Sequence, residues 1–458
     1  MRTRVTRVLS VTSVILAGAL GLAGCAGGSS GSSSASGGGG SSSCFLTGAT
    51  ASTAPSPSAA GGKVTISFME AMSGGTLKSS LAHLVSEFEA ANPNITVQLQ
   101  ESPDYTTLEQ NERDAVSAKK APTIGQVYEG WAADYANSGV IDQLDSYLNQ
   151  TQPSPLSGLY TGVANDQKLC DNHYYMWPFN KSLYVNFYNQ NMLQQAGQTA
   201  PTTWDQFATV AKAVSKNGVT GITIDPGGPT AGATGGMVWL EILAQAFGTP
   251  VYDADGNPEF NSPAAIKAMQ YLADLKKSGA LATGKSYPGE AALGAQKGLF
   301  DLSSVAGYSY EQQTVGNKFT LGTENLPAGP AGPANQMNGT NVVIFSSATD
   351  AQKAAAWKFM QFLTTAQSQA YWASNTGYLP VTPAALPLMT AFTSKNPWMT
   401  VAAGALRTAS GTAAVPWADK SQGELGTALT DVLENNVTPT DALNKAQTNA
   451  VADQKAAQ

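Results

Sequence analysis

The sequence is poor in histidine, cysteine and charged residues. Its 458 residues include two histidines, three cysteines and 12% charged residues, whereas soluble domains average about 25% charged residues. His83 and His173 are too few for a histidine-rich metal site, and they leave little room for a Ser-His-Asp triad. The cysteines, Cys25, Cys44 and Cys170, lack metal-ligand spacing. We therefore expect neither a metal centre nor a cofactor.

An excess of basic residues is also missing. The 25 Lys and Arg residues are outnumbered by 32 Asp and Glu residues, which gives a formal net charge of −7. A nucleic-acid-binding domain usually carries a basic patch, so this composition argues against that class of partner. The length suffices for one large domain or two medium-sized domains with complete hydrophobic cores.

The N-terminus has the layout of an export signal. Three arginines in the first seven residues precede a short, mostly apolar stretch over 8–22. LAGC (22–25) lies at the end of this stretch. So short a stretch is typical of a signal peptide rather than a membrane-spanning helix. Small residues before a cysteine resemble a bacterial lipobox, which predicts a lipoprotein signal peptide over 1–25 with Cys25 lipidated. The alternative is an ordinary signal peptide with a coincidental cysteine.

A segment rich in small residues follows, over 26–62. Its Gly, Ser, Ala, Thr and Pro residues cannot build a core, which predicts a disordered tether between the membrane and a folded body. Cys44 lies in this tether. In an oxidising compartment it can pair with Cys170, and two free thiols are an equally open alternative.

From residue 63 onwards the pattern predicts an α/β fold. KVTISFM (63–69), ITVQLQ (95–100) and PTIGQVY (122–128) alternate or cluster apolar residues as strands do, with helical patterns between them. Strand–helix–strand units of this length indicate a parallel sheet with right-handed crossovers. Further helices are predicted over 204–218, 265–279, 352–374 (two), 422–434 and 439–455, and further strands over 221–225 and 341–345.

One stretch has the spacing of a phosphate-binding loop. GALATGKS (279–286) fits G-x-x-x-x-G-K-[ST]. A functional loop of this kind needs a buried strand before it and a helix immediately after it. Here a helical pattern precedes the motif, Gly279 occupies its C-cap position, and the next helical run begins near Glu290. We therefore predict that the motif binds no nucleotide.

Six longer strings carry a family resemblance. KVTISFMEAM, SEFEAANPNITV, APTIGQVYE, WPFNKSLYVNFYN, PTTWDQF and FLTTAQSQAYWASNTGYLPV occur in that order. Together they resemble the family-1 solute-binding proteins of bacterial ABC importers, and most of all the glycerol-3-phosphate-binding branch. The resemblance implies a non-enzymatic, monomeric protein outside the cytoplasm. Its partners would be a small-molecule solute and ABC permease subunits served by a separate cytoplasmic ATPase, with the membrane reached through the lipid anchor alone.

The resemblance also implies the periplasmic-binding-protein fold. In that fold two α/β lobes are joined by crossing strands and hold the ligand in a cleft between them, where closure of the hinge signals to the permease. By analogy the N-terminal lobe comprises 63–176 and 306–350, and the C-terminal lobe comprises 177–305 and 351–458.

The resemblance, together with the residue chemistry, suggests a set of ligand contacts. Carboxylates accept paired hydrogen bonds from hydroxyls, Tyr and Ser supply further polar contacts, and Trp offers a flat face for a sugar. Glu70 is included because it follows the first strand, although a surface turn is as plausible for it. Trp239 lies two residues after Met237, which stands at a tryptophan position of the branch. The predicted contacts are Glu70, Tyr105, Glu129, Ser182, Trp239, Ser303, Ser304, Gly339, Tyr378 and Trp417.

One departure from the branch bears on the solute. The branch places a phosphate-binding arginine where this chain reads AAVPWADKSQGELG (413–426), which contains none. Lys420 can only partly replace it, because lysine is a point charge rather than a bidentate fork. The sequence therefore favours a saccharide, with glycerol-3-phosphate or a glycerophosphodiester as the alternative. A lipid-anchored glycosidase is a third hypothesis, in which two of Glu70, Glu129 and Asp171 would supply the pair of catalytic carboxyl groups.

Overall fold

The computed structural model describes residues 46–227 and 236–457. Its ten strands, in chain order, are β1 (Val64–Glu70), β2 (Ile95–Glu101), β3 (Ile124–Val127), β4 (Trp177–Ser182), β5 (Tyr184–Asn189), β6 (Thr220–Ile224), β7 (Leu281–Thr283), β8 (Gly298–Ser304), β9 (Leu321–Asn325) and β10 (Asn338–Ile344). They form two five-stranded sheets with the orders β2-β1-β3-β10-β4 and β7-β6-β8-β5-β9. We call the parts built on these sheets the first and the second lobe. The predicted two-lobe α/β architecture is confirmed.

Helices surround both sheets. They are α1 (Gly75–Ala91), α2 (Tyr105–Ser117), α3 (Glu129–Asn137), α4 (Asp145–Gln150), α5 (Thr161–Asn165), α6 (Gln190–Gln195), α7 (Trp204–Val214), α8 (Met237–Phe247), α9 (Pro263–Lys277), α10 (Pro288–Gly294), α11 (Tyr308–Val315), α12 (Asp350–Leu363), α13 (Ala366–Thr376), α14 (Thr390–Thr393), α15 (Pro397–Ala405), α16 (Ala418–Asn435) and α17 (Pro439–Ala457). No described helix has the length and apolar character needed to cross a membrane.

Local sequence signals fix several of these helices. The Asp104 carboxylate accepts a hydrogen bond from the Thr107 amide and so begins α2. Thr203 caps α7 in the same way, and Thr349 forms a reciprocal capping box with Gln352 at the start of α12. Each cap satisfies amide groups that a helix N-terminus leaves without internal partners.

Both sheets mix parallel and antiparallel pairs. In the first sheet β1 pairs in parallel with β2 and β3, while β10 runs antiparallel to β3 and β4. In the second, β6 is parallel to β7 and β8, while β5 is antiparallel to β8 and β9. The polypeptide passes from β4 to β5, and so from one sheet to the other, across the single residue Leu183. The carboxyl ends of the parallel strands carry the loops that face the other lobe.

The lobe limits differ from the boundaries expected by analogy. Strand β4 pairs within the first sheet, although 177–305 was assigned to the C-terminal lobe. Strand β9 pairs within the second sheet, although 306–350 was assigned to the N-terminal lobe. Helices α12 and α13 also pack on the first lobe, against β1 and α1. The resemblance alone does not locate the residues at which the chain crosses between sheets.

Residues 46–62 correct the expectation of a disordered tether over 26–62. The Ala54 amide donates to Ser146 Oγ (2.9 Å), and the Gln143 amide donates to Ser52 Oγ (3.0 Å). A short 3-10 helix follows at Pro57–Gly61, and the Ala60 side chain in it is buried. Serine and alanine, read as disorder-promoting, here pack along α4 and α12 through hydrogen bonds and small buried side chains.

The cysteines are only partly covered by the described residues. Cys170 is disulfide-bonded. Cys44, its expected partner, and Cys25, the expected lipidation site, both lie outside the described residues, as does the predicted signal peptide. The pairing of Cys44 with Cys170 therefore stays a prediction.

Candidate functional site

A cavity of about 630 Å³ lies between the two lobes. Its first-lobe wall comes from the beginnings of α2 and α3. Its second-lobe wall comes from the beginnings of α8, α10 and α16, and the segment leading into β10 closes one end. Helix and strand ends that face each other across two lobes form the kind of site in which binding proteins hold small solutes.

Aromatic rings cover much of the first-lobe wall. The rings of Tyr105 and Tyr128 meet edge to face at 5.1 Å, and those of Tyr128 and Trp131 at 5.2 Å. The Tyr105 hydroxyl is 3.2 Å from the Tyr378 hydroxyl. Tyr378 also stacks on Trp372 in the first core. Tyr105 lines the cavity, while Tyr378 stands behind it and fixes its position. The predicted contacts of both residues with a ligand stay predictions.

Glu129 lies in the cavity wall, but its carboxylate already has strong partners. Its Oε1 accepts hydrogen bonds from Lys181 Nζ (2.9 Å) and Asn341 Nδ2 (2.9 Å). Lys181 Nζ also lies 2.6 Å from Asp166 Oδ2, and the Lys181 side chain is fully buried. Burial alone would lower the pKa of Lys181, but the charges of Asp166 and Glu129 outweigh burial and raise it. These three residues, the buried ion cluster, hold the base of the first-lobe wall in one geometry.

Asp166 carries the excess charge of that cluster. Burial raises the pKa of the Asp166 carboxyl to about 7, even though Lys181 opposes the shift. Two carboxyl groups share one ammonium, so the second negative charge is incompletely balanced in a site buried from bulk solvent.

Arg113, the one arginine among the described residues that line the cavity, is also paired. Arg113 on α2 contacts Glu109 Oε1 (2.7 Å) and Asp134 Oδ2 (2.5 Å). On the second-lobe wall, Lys420 lies 3.4 Å from Asp453 Oδ1. Acidic residues outnumber basic ones around the cavity, since Asp104, Glu109, Glu129, Asp134 and Asp419 face Arg113 and Lys420. A phosphate group would meet cations that carboxylates already neutralise.

Several polar groups of the cavity have no partner among the described residues. Gln336 Oε1 and Asn338 Nδ2 are in this state. Asp419, at the start of α16, makes no hydrogen bond or ion pair with another described residue and is exposed to the cleft. A Cβ added at Gly130 would lie 2.8 Å from Asp419 Oδ1, so this carboxylate rests against the first turn of α3. Loss of solvation of the carboxylate between the two walls raises the pKa of Asp419 to about 7, and the nearby carboxylate of Glu109 adds to the shift.

A buried acid lies beneath the second-lobe wall. Glu241 on α8 accepts a hydrogen bond from Gln422 Nε2 (3.2 Å) at Oε1, while its Oε2 has no partner among the described residues. Burial raises the pKa of Glu241 to about 7. Gln336 and Gln422 both oppose this shift and both line the cavity, so these two side chains link the protonation of Glu241 to the cavity surface.

Other predicted contacts lie behind the cavity surface. Glu70 is 2% exposed, accepts a hydrogen bond from the Met72 amide, and has a pKa that burial raises. Ser182 ends β4, where the chain crosses to the second sheet, and Ser303 and Ser304 end β8 within the second sheet. Their role in binding the solute stays a proposal.

Gly339 has a structural reason to be glycine. Its φ of +94° lies in the left-handed region, and a Cβ there would clash with the backbone oxygen of Asn180 on the neighbouring strand. The close approach at Gly339 is made by the neighbouring strand β4, and its predicted contact with a ligand stays a prediction.

Both predicted tryptophans are packed inside the protein. Trp417 is 1% exposed and donates from Nε1 to the Gly256 oxygen (3.0 Å). Trp239 is 6% exposed and meets Tyr184 and Trp204 edge to face. Their neighbours Pro416 and Met237 line the cavity instead. Neither indole has a free face for stacking, so the expected sugar-stacking role of Trp417 is not supported.

Sequence reasoning missed several cavity residues. They are Arg113, Tyr287, Gln336, Asn338 and Asp419. Asp419 lies two residues after Trp417, and Tyr287 directly follows the GALATGKS motif. Both are therefore close in sequence to residues that were considered for other roles. No periodicity or motif marks a single polar residue at a helix start as facing a cleft.

The structure has two lobes, a single residue connecting their sheets, and a cavity with polar and aromatic walls between the lobes. This arrangement is that of a solute-binding protein. The model of the bacterial extracellular solute-binding protein family matches residues 83–401, and the chain belongs to that family. The chain is 27% identical over 368 residues to the sn-glycerol-3-phosphate-binding periplasmic protein UgpB of Escherichia coli K12, covering 73% of this chain and 78% of that protein. The family resemblance noted in the sequence is confirmed.

Solved structures share the fold. UgpB from Mycobacterium tuberculosis, in complex with glycerophosphocholine, superposes with a TM-score of 0.75 at 20% identity, covering 86% of this chain and 99% of that one. The cyclic alpha-maltosyl-1,6-maltose binding protein from Arthrobacter globiformis gives 0.74 at 19% identity, covering 86% and 100%. The same fold thus serves a phosphodiester in one protein and a saccharide in the other.

Proposed function

We propose that this protein captures a saccharide outside the cytoplasm and delivers it to the permease of an ABC importer. The observation that carries this proposal is the charge arrangement of the cavity. Among the described residues that line it, the cations Arg113 and Lys420 are both paired with carboxylates. The Asp419 carboxylate is exposed without a hydrogen-bonding partner, and buried amide atoms of Gln336 and Asn338 lack one in the described part of the chain. Hydroxyl groups both donate and accept hydrogen bonds, so a sugar matches this mixed set better than an anion does.

The delivery step rests on the two-lobe geometry. A solute that contacts both walls stabilises the closed arrangement in proportion to its extra contacts there. A permease that recognises this arrangement receives loaded protein in preference to empty protein. Lipidation at Cys25 would keep the protein at the membrane, and monomeric behaviour would suffice because both walls belong to one chain.

A second candidate solute is a glycerol phosphate. The UgpB relatives favour it, because the Escherichia coli protein binds sn-glycerol-3-phosphate and the Mycobacterium tuberculosis protein was crystallised with glycerophosphocholine. In this chain it would require Arg113 or Lys420 to exchange its carboxylate partner for the phosphate. The glycosidase reading is weaker, because Glu129 is held by Lys181 and Asp171 does not line the cavity.

Thermal melting of the purified full chain tests the proposal. A solute at about a thousand times its dissociation constant adds about 4 kcal/mol of stability, enough to raise the midpoint by several degrees. We expect an increase with maltose or maltotriose and none with glycerol-3-phosphate or glycerophosphocholine. An increase with the phosphate compounds alone would replace the saccharide by the second candidate. Recovery of hydrolysed sugar would contradict a purely binding function.

A further inference from the structure

Tyr287 combines exposure with an unfavourable backbone conformation. Its side chain is 58% exposed and lines the cavity. Its φ and ψ are 58° and 52°, and the preceding Ser286 also has a positive φ, of 57°. A left-handed conformation costs a non-glycine residue about 1–2 kcal/mol. Two such residues in succession persist only where their surroundings hold them, and such strain is often found at functional sites.

Asp225 holds this turn in place. Its carboxylate accepts hydrogen bonds from the Ser286 amide (3.1 Å) and the Gly227 amide (3.0 Å), and Lys285 Nζ lies 3.4 Å away. Helix α10 begins at the next residue, Pro288. The Lys and Ser of the GALATGKS motif therefore serve to anchor a turn whose last residue is Tyr287.

The anchored turn presents the Tyr287 ring to the aromatic first-lobe wall. Partial loss of solvation in the cleft raises the pKa of Tyr287, and the Tyr105 phenol of the opposite wall adds to the shift. Tyr310, 44% exposed, is a further neighbour. The exposed ring borders the cavity, so an apolar surface of a solute that covers it gains the free energy of removing both surfaces from water.

We propose that Tyr287 is a solute-binding residue that covers the apolar face of a sugar ring from the second lobe as the cleft closes. The opposite face of the sugar ring then meets Tyr105 and Tyr128. This inference rests on the proposed saccharide function and assigns it a specificity-determining residue. Pyranose rings with an uninterrupted apolar face are the substrate class it selects, and a glycerol chain offers no such face.

Substitution at position 287 separates the ring from the strain. Tyr287→Gly removes the ring and also relieves the left-handed strain, so folding is preserved. We expect the dissociation constant for maltotriose, measured by calorimetry on the full chain, to rise about tenfold. Tyr287→Phe keeps the ring and should stay within about threefold. Gln296→Gly is the matched control, because Gln296 also has a positive φ (57°), is exposed in the same lobe and does not line the cavity.

The outcomes separate this inference from the proposed function. Weaker maltotriose binding by Tyr287→Gly, with Tyr287→Phe and Gln296→Gly near wild type, supports the role of the ring. Wild-type affinity in Tyr287→Gly would overturn that role and leave the saccharide function standing. Failure of the wild-type protein to bind any saccharide would overturn both.

Discussion

The two walls of the cleft are built differently. On the first-lobe wall the charged side chains of Glu129 and Arg113 are paired, and the Tyr105 hydroxyl contacts Tyr378. On the second-lobe wall Asp419 has no partner among the described residues, and Tyr287 is largely exposed. The side chains of the first-lobe wall are therefore ordered before a solute binds. Asp419 and Tyr287 on the second-lobe wall gain partners only when a solute binds.

This difference suggests an order of events. A wall whose side chains are already fixed loses little conformational freedom when it binds, so it contributes affinity at low entropic cost. The open wall gains its missing contacts only as the lobes approach, and these contacts make closure depend on the solute. The first lobe is therefore expected to receive the solute and the second lobe to close on it.

The largest predicted effect is on the organised wall. Lys181→Met removes the only cation of the buried ion cluster. The carboxyl groups of Glu129 and Asp166 are then left buried without a positive charge between them. We expect the free energy of unfolding at pH 8, from urea titration, to fall by about 3–5 kcal/mol. The loss should shrink towards pH 5, because the pKa of Asp166 is about 7 and this carboxyl is then protonated.

The control for that variant is another lysine–glutamate pair. Lys78 contacts Glu101 at 2.6 Å, but its side chain is 61% exposed. Lys78→Met should leave stability nearly unchanged, because solvent screens an exposed ion pair. If both lysine variants lost the same small amount, the first-lobe wall would not be held by its ion cluster.

The next effect lies beneath the open wall. Because burial raises the pKa of Glu241 from 4.5 to about 7, the folded protein retains this proton where the unfolded chain releases it. The free energy of unfolding therefore falls as pH rises from about 4.5 to about 7. Glu241→Gln should raise it by about 2 kcal/mol at pH 8 and leave it nearly unchanged at pH 4. The exposed Glu434→Gln should do neither, and a pH-independent gain in Glu241→Gln would contradict this reasoning.

A smaller effect concerns affinity. Asp419 accepts hydrogen bonds from hydroxyls most strongly when ionised, and its pKa is about 7. Wild-type affinity for maltotriose should therefore rise between pH 6 and pH 8. In Asp419→Asn we expect about tenfold weaker binding at pH 8 and a flat pH profile, both measured by calorimetry. An unchanged profile in the variant would place the pH dependence on another group.

The smallest effect is expected at Lys420. Its side chain is 74% exposed and its contact with Asp453 spans 3.4 Å, so Lys420→Met should change stability by less than about 0.5 kcal/mol. Maltotriose affinity should stay within twofold. If wild-type protein binds glycerol-3-phosphate and Lys420→Met does not, the cation acts on phosphate and the second candidate solute is correct.

Periodicity and motif order predicted the fold more fully than the site. Alternating apolar residues located β1 and β2, and a helical pattern beginning at residue 204 located the start of α7. The short strand β7 inside GALATGKS was missed, because three residues carry no period. The site depended on tertiary packing, which buries Trp417 and exposes Tyr287 although both are aromatic residues in loops between elements.

The pairing of charged side chains was the other feature that could not be predicted from the sequence. The missing arginine at 413–426 was visible from the sequence, but the pairing of Arg113 with Glu109 and Asp134 was not. The sequence therefore indicated that phosphate recognition was weakened, and the structure adds that the arginine present in the cavity is already occupied.

The central claim is that the cleft takes a neutral sugar rather than a phosphate. Calorimetric titration of the purified full chain with maltotriose and, separately, with glycerophosphocholine tests it directly. We predict saturable 1:1 binding of maltotriose with a negative change in heat capacity, as expected when apolar surface is buried, and no measurable heat with glycerophosphocholine. Saturable binding of glycerophosphocholine with none of maltotriose would contradict the account.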